Sequence, residues 1–452
     1  MKNQNSVTIP ANRLAKFTSD VFIPLKKGEC VSCMFAAGSG KRTILNYLLS
    51  EETTLKKIFT DQYKKTLFIY VDPNEILNVT AEAYLQLILD NLILMMKEKK
   101  IKLYSDNQIL NPLILLKKNL EELVNNGYLT IIILNDFEYT LSLPANINLN
   151  LESIMSIDKS KIVYLFLSTV NLFDEGVLKT LHKLKHAISR NVNYFPLLNE
   201  AETNYQFDRL NEKYKIKITD KVKSIIFKIC GGHPQLIKYS FNNLREQGQE
   251  FLIDDKKTVA YLTNHYQLNL VCADIWNFLS EKEKEVVISI VTTGGFSPTH
   301  EAPADYLTNL GIIKRITDKK HQVFGTLFEQ FIKNKLPKHK ISFDSSTKKL
   351  LFGGQNCEDK FTYQEFKLLT YFITHENELV SRDQVAEAMW GKQYIDKYSD
   401  WSIDKIISIL RKKLDALGFP SENLVTLKKR GFSFSNHKSY DNSPQPSYGT
   451  IL

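Results

Sequence analysis

The first 200 residues alternate short apolar runs with longer amphipathic stretches. The runs are Cys30–Phe35, Thr66–Val71, Tyr128–Leu134, Lys161–Leu167 and Asn193–Leu197. They are rich in β-branched and aromatic residues and almost unbroken in hydrophobicity, as strands read when both faces of a parallel sheet are covered. Segments between them, such as Glu82–Lys97, repeat apolar residues at helical spacing. The alternation predicts a doubly wound α/β domain. From Asn199 to Gly248 the pattern is helical throughout, a small lid. Val271–Lys335 reads as helices followed by two short strands in LGIIKRI and HQVFG, the order of a winged helix, and Pro337–Lys340 suits a linker.

A further unit begins at Ile341. ISFDSSTKKLLFGGQN predicts two short strands, and FTYQEFKLLTYFI places Phe366, Leu369, Phe372 and Ile373 on one helical face. Thr362 with Glu365 forms a capping box, and Ser381 caps a second helix, SRDQVAEAMWG. WSIDKIISILRKKLDAL is a third helix with Ile403, Ile406, Ile407, Leu410 and Leu414 as its apolar face, and LVTLKKRGFSF predicts a hairpin. The last fifteen residues are Ser/Pro-rich and polar and predict a disordered tail.

Composition removes several classes. The chain has 452 residues, 59 Lys+Arg against 50 Asp+Glu and a net charge of +9. At 43% hydrophobic and 24% charged it has the profile of ordinary globular domains. No apolar run approaches the roughly 18 residues of a spanning helix, and MKNQNSVTIPANR lacks the apolar centre of a signal peptide. Five cysteines, an odd number, make no disulfide framework. The expectation is a cytoplasmic protein with no membrane partner. Cys30 and Cys33 lie three apart on a strand, so they point to opposite faces, and no second pair exists to complete a metal site. No resident metal ligand set is expected.

The first strand runs into FAAGSGKRTILNYLL, where Gly38, Ser39, Gly40 and Lys41 stand between strand and helix. A phosphate loop works this way: a Gly-rich turn aims backbone N–H groups at phosphates, the helix N-terminus favours anions, and the lysine reaches the terminal phosphates. The competing account is an ordinary Gly-rich turn. Two positions depart from the pattern. Phe35 replaces its first glycine, and Arg42 replaces the hydroxyl that binds Mg²⁺, with Thr43 one place later.

The third strand ends in IIILNDFEYT, where a Walker B segment belongs. Direct alignment puts Asn135 at the Mg²⁺ carboxylate and Asp136 at the base. A shift of one puts Asp136 on Mg²⁺ and Phe137 at the base, with Glu138 spare. Either way one carboxylate is missing, and the alternative is a strand ending in a polar turn. The catalytic candidates are thus Asp136 and Glu138, in a site that binds nucleotide but hydrolyses it slowly or not at all. Ser168 and Thr169 end the fourth strand as either a polar sensor or a strand cap. Arg190 reads as solvated or as a contact to phosphate or to a neighbouring subunit, and Asp72 and Glu75 as a turn or as functional acids.

GSGKRT, the IIILNDFE strand, the FPLLNEAET turn and GGHPQLI occur in the order of STAND-type and Orc/Cdc6-like AAA+ ATPases, which residues 25 to 335 resemble. The resemblance implies ATP or ADP at Gly38, Ser39, Gly40, Lys41, Arg42 and Thr43, leaving Mg²⁺ open. It also places Gly232, His233 and Pro234 in the lid near the adenine. Taken alone, His233 is a satisfied or solvated histidine.

Ile341–Ser435 resembles the OmpR/PhoB-type winged-helix effector domain, in its FTYQEFKLL opening, SR…MWG helix, SIDKIISILRKKL helix and VTLKKRGFSF wing. The wing keeps Gly431, while Lys429 stands where a second glycine is usual. The resemblance implies double-stranded DNA as partner, the third helix entering the major groove and the wing the adjacent minor groove. Residues 341–437 carry 14 Lys+Arg against 13 Asp+Glu, close to neutral, yet Lys405, Arg411, Lys412 and Lys413 lie on that helix and Lys428, Lys429 and Arg430 on the wing. Ser402, Lys405, Ile406 and Ser408 are expected at base edges, and Arg411, Lys412 and the wing at phosphates.

The expected fold is an α/β P-loop NTPase core with a helical lid, followed by two winged-helix (α+β) domains. Its plan is a nucleotide-binding core at 1–198, a lid at 199–265, a winged helix at 266–336, a DNA-binding winged helix at 341–437 and a tail at 438–452. The function read from it is a nucleotide-responsive, DNA-binding transcriptional regulator that could act as a homo-oligomer. The alternatives are an assembling STAND-type NTPase of a bacterial defence or stress system, whose winged helix binds protein or senses a ligand, and an origin-binding initiator.

Overall fold

The computed structural model describes residues 9–104, 111–144, 146–216, 218–247, 255–317, 320–335, 340–345, 347–391, 399–428 and 430–436. The predicted tail, most of the linker and Lys429 lie outside these residues. The chain forms two compact units, one of residues 1–285, 300–315 and 322–331 and one of residues 286–299, 316–321 and 332–452.

Five strands make the sheet of the first unit: β1 (Val31–Phe35), β2 (Thr66–Val71), β3 (Leu129–Leu134), β4 (Ile162–Ser168) and β5 (Val192–Phe195). All pairings are parallel, in the order β2-β3-β4-β1-β5. Every residue of the inner strands β1, β3 and β4 is buried, whereas the edge strands β2 and β5 keep half-buried positions. Covered faces explain the unbroken apolar runs. β5 is shorter than its apolar run. After Phe195 the chain leaves the sheet, and the Leu197 and Leu198 N–H groups donate to Leu310 O (3.0 Å) and Gly232 O (2.9 Å).

Helix Ala11–Lys26 covers β1. Its Phe17 meets Phe35 and Phe195 edge-on, with ring centroids 6.1 and 5.0 Å away. The phenylalanine at the first glycine position is therefore a core side chain in an aromatic cluster. Helix Lys41–Ser50 follows β1, and Ala81–Glu98 and Pro112–Asn125 join β2 to β3.

The lid helices are Glu200–Tyr214, Asp220–Cys230 and Pro234–Gln247. Asn199 and Glu202 form a capping box at the first, which fixes where the α/β pattern gives way to helix. Helices Asp255–Asn264, Tyr266–Asn277, Glu281–Thr293 and Glu301–Asn309 come next. The strand pair β6 (Ile313–Thr317) and β7 (Lys320–Val323) and helix Thr326–Lys335 complete the helix–hairpin order predicted for 266–336.

The second unit holds β8 (Ile341–Asp344), β9 (Lys349–Phe352) and β10 (Gln355–Asn356), an antiparallel sheet with one strand more than expected. Helices Tyr363–Thr374, Arg382–Trp390 and Asp400–Ala416 follow, then the hairpin β11 (Leu424–Leu427) and β12 (Gly431–Phe434). The capping boxes at Thr362/Glu365 and Ser381/Gln384 are both formed. The first helix buries Leu368, Leu369 and Phe372, while Phe366 and Ile373 only flank the core. Its apolar face is thus rotated toward Leu368 from the one expected. The third helix buries Ile403, Ile407, Leu410 and Leu414, with Ile406 at the rim.

Candidate functional site

The loop after β1 bends at Gly38 (φ +72°) and Gly40 (φ +99°), left-handed conformations that glycine adopts without strain. Gly40 caps helix 41–50 with no side-chain bond of its own, so the first N–H groups of that helix stay free for an anion. The loop lies at the carboxyl ends of the parallel strands, where α/β sheets bind ligands.

Lys41 Nζ pairs with Asp136 Oδ1. Asp136 follows β3 in the left-handed region (φ 45°), a strained conformation for a non-glycine residue. Its other oxygen accepts from Asn135 Nδ2 at 2.9 Å and Asn74 Nδ2 at 3.5 Å. Asn74 also bridges to Asp72 Oδ1 at 2.7 Å, and the Tyr70 hydroxyl donates to Asp72 Oδ2 at 3.1 Å. Burial works to raise the Asp72 pKa, but hydrogen bonds from Asn74, Tyr70 and Asn135 outweigh it and hold the carboxyl below its ordinary value. The YVDPNE turn is therefore both a turn and part of the acidic cluster.

Phe137 is fully buried, which removes it as a reacting group. Glu138 Oε1 accepts from the Thr169 hydroxyl and, at 3.2 Å, from the Thr169 N–H. Ser168 and Thr169 have separate roles. The Ser168 hydroxyl closes a turn onto Val170 O at 2.8 Å, while Thr169 lines the loop pocket. Two residues on, Asn171 Nδ2 donates to Glu283 Oε1 at 2.8 Å, at the start of helix 281–293.

His233 joins the lid to the phosphate loop. Its ring is fully buried; the Leu236 N–H donates to Nδ1 at 3.3 Å, so Nε2 carries the proton and donates to Ala37 O at 2.7 Å. Burial lowers its pKa to about 4, against the opposing effect of the Ala37 bond. The GGHP histidine is thus a neutral strut under the loop. Pro234 starts its helix and, with Gln235, lines the same pocket.

The pocket has a volume of about 780 Å³ and includes Gly38, Gly40, Lys41, Arg42, Thr43, Asp136 and Thr169. Ser39 is buried beside it. The lid adds Gln206, Arg209, Leu210, Lys213, Lys238 and Tyr239, residues the sequence reading missed. The available signal was the spacing of three and four among Gln206, Arg209, Leu210 and Lys213, and of four from Pro234 to Lys238 and from Gln235 to Tyr239. Arg190 instead precedes β5 at the opposite end of the sheet and pairs with Glu29 at 2.9 Å. Arg13 was also missed. It stacks on Phe195 (4.2 Å), pairs with Glu202 and donates to Pro196 O, tying the first helix to the lid.

In the C-terminal unit, Trp401, Asp404, Lys405, Ser408 and Lys412 are exposed on helix 400–416, and Lys428 and Arg430 on the hairpin tip. Trp401 is 71% exposed, with Lys405 Nζ 4.8 Å over its ring. Other expected contacts turn inward. Arg411 donates to Leu424 O (Nε, 2.9 Å) and to the Thr426 hydroxyl (2.8 Å), bracing the wing. Ser402 Oγ donates to Ser399 O at 2.7 Å within the cap of its own helix. Lys413 pairs with the buried Glu365 at 2.6 Å. Arg382, on the preceding helix, pairs with Asp400 and Asp404 (3.1 and 2.7 Å) and offsets the two acids of the exposed face.

Residues 358–434 match the family described as "Transcriptional regulatory protein, C terminal". The phosphate regulon transcriptional regulatory protein PhoB of Escherichia coli is 27% identical over 132 residues, 29% of this chain and 55% of that protein. The transcriptional regulatory protein YkoG of Bacillus subtilis is 32% identical over 95 residues, 21% of this chain and 39% of that protein. The chain spans about half the length of the curated relatives it matches. In structure, the Walker-type ATPase PABY2304 of Pyrococcus abyssi is similar at a TM-score of 0.50 and 10% identity, over 73% of this chain and 97% of that one. That likeness establishes a Walker-type ATPase fold for the larger part of the chain. No helix of the described residues is long and apolar enough to cross a membrane.

Proposed function

We propose that this chain, whose residues 358–434 belong to the transcriptional regulatory protein C-terminal family, is a DNA-binding transcriptional regulator whose Walker-type module switches it with ATP or ADP. The observation that carries the reading is the joining of two sites in one chain. One is a phosphate loop closed by Lys41 and Asp136. The other is a helix and hairpin tip with exposed Lys405, Lys412, Lys428 and Arg430. The domain plan of core 1–198, lid 199–265, winged helix 266–336 and reader 341–437 goes with it.

At the nucleotide site, Gly38 to Thr43 hold the phosphates, and Leu210, Tyr239 and Phe278 offer apolar walls for a base. Lys41 leaves Asp136 for the phosphates on binding. Asp136 is then restrained by Asn74 and Asn135, and Glu138 by Thr169. Each carboxylate has one oxygen held by these donors, which restricts its orientation toward a water and supports weak or absent hydrolysis.

At the reader, helix 400–416 enters the major groove with Lys405 and Ser408 toward base edges, and Lys412, Lys428 and Arg430 hold phosphates. Lys429 belongs to the same tip by sequence. The test is duplex binding by the full chain and by a Lys412/Lys428/Arg430→Ala variant across a salt series. Three lost phosphate contacts lower the slope of log affinity against log salt by about 3. An unchanged slope overturns the DNA-contact assignment.

A further inference from the structure

Walker-type sites hold a divalent cation against the phosphates with a hydroxyl after the loop lysine and a carboxylate after the third strand. The residues of this chain do not fit that ion. Arg42 stands at the hydroxyl position and Asn135 at the first carboxylate, and an amide offers no anionic oxygen. One Asp136 oxygen accepts from Asn135 and Asn74, so a single oxygen is open once Lys41 moves to the phosphates. Asp72 is likewise occupied by Asn74 and Tyr70. Among the described residues no group of three or more His, Cys, Asp or Glu side chains could hold a metal.

The same pocket is rich in cations. Arg42, Arg209, Lys213 and Lys238 line it together with Lys41, against only Asp136 and Asp274. Arg42 is exposed and lines this pocket with Asp136. The guanidinium therefore shares the pocket with the acid that would otherwise face a metal. A guanidinium holds phosphate oxygens through two parallel N–H bonds and keeps its charge at every working pH. A dication placed there would meet that fixed positive charge.

We propose that the pocket takes a nucleoside di- or triphosphate free of divalent metal. Arg42 occupies the cation's place, and Arg209, Lys213 and Lys238 of the lid neutralise the remaining phosphate charge. The proposal rests on the nucleotide-binding reading above. It makes lid closure a direct consequence of phosphate charge, because the cations that replace the metal come from lid helices 200–214 and 234–247.

The test is calorimetric titration of the full chain with ATP and with ADP, in millimolar magnesium and again in excess EDTA. Binding is expected to be at least as tight in excess EDTA as in magnesium, because magnesium complexes the metal-free nucleotide that the pocket takes. Arg42→Ala weakens binding about tenfold in EDTA, the effect of losing one charged bidentate contact. Arg42→Thr with Asn135→Asp, which restores the usual donors, binds more tightly in magnesium than in EDTA. Wild-type binding that falls more than about tenfold on magnesium removal overturns the proposal, as does an Arg42→Ala variant with unchanged affinity in EDTA. Absence of binding in both buffers overturns the nucleotide reading itself, and the proposal with it.

Discussion

His233 shows how much one side chain carries in the Walker-type unit. Its buried, neutral ring connects the lid to Ala37, and burial holds its pKa at about 4. In an unfolded chain the group titrates at about 6.5. Between these values the unfolded state binds a proton that the native ring refuses. The stability contribution is therefore complete above about pH 6.5 and is lost as pH falls toward about 4, to a limit of about 3 kcal/mol. Urea denaturation of wild type and His233→Gln at about pH 7 and about pH 4.5 checks this. Wild type is expected to lose more stability on acidification, and equal losses would refute the account.

Neighbouring lysines on the reader helix divide the same way. Lys412 is exposed, while Lys413 neutralises Glu365, a carboxylate buried by its own capping box. Lys412→Ala is expected to weaken duplex binding without changing the melting temperature. Lys413→Met is expected to cost about 2 kcal/mol of stability, because a buried charge loses its partner. The reverse pattern in paired binding and melting experiments would contradict the assignment. Sequence placed both lysines on the contact helix and could not divide them. Partners such as Glu365, Leu424 and Asp400 come from other elements, so the inward roles of Lys413, Arg411 and Arg382 were invisible until those elements packed.

Among elements, the wing depends on one backbone approach. Gly431 has φ +135°, and a Cβ there would lie 2.1 Å from Val380 O, where the Phe432 N–H donates at 2.8 Å. Gly431→Ala combines backbone strain with this clash and is expected to cost at least about 2 kcal/mol. Gly418 also has positive φ (+85°) but nothing within 4 Å of its Cβ position, so Gly418→Ala is expected to cost about 1 kcal/mol. Equal losses in denaturant melts would show that the Val380 contact contributes nothing. The surviving wing glycine was legible in the sequence; its cause, a docking onto residue 380, was not. The five apolar runs likewise marked the sheet strands within a residue or two, because covered parallel strands must be apolar throughout. Their order β2-β3-β4-β1-β5 depends on crossovers that no local pattern encodes.

For the whole molecule, the net +9 is less informative than where the charge lies. Cations collect at a phosphate-loop pocket and on a helix and hairpin tip, the two places where polyanions are expected. Within the first unit a run of hydrogen bonds leads away from the phosphate-loop pocket. Thr169 holds Glu138, and Asn171, two residues later, holds the buried Glu283 of helix 281–293. Asn171→Ala is expected to leave nucleotide affinity within about twofold while reducing any effect of nucleotide on DNA binding, since a coupling residue acts on the linkage and not on either site. Unchanged coupling in that variant would remove the route.

If the Walker-type unit switches the DNA-binding unit, nucleotide sets the DNA affinity of the chain. The most direct measurement is fluorescence-anisotropy titration of duplex DNA with the full chain, with and without saturating ATP or ADP, for wild type and Lys41→Ala. The expected result is a shift of about fivefold or more in wild-type affinity, corresponding to a coupling of about 1 kcal/mol or more, and none in Lys41→Ala. Equal affinity of the wild type with and without nucleotide, or an equal shift in Lys41→Ala, would contradict it.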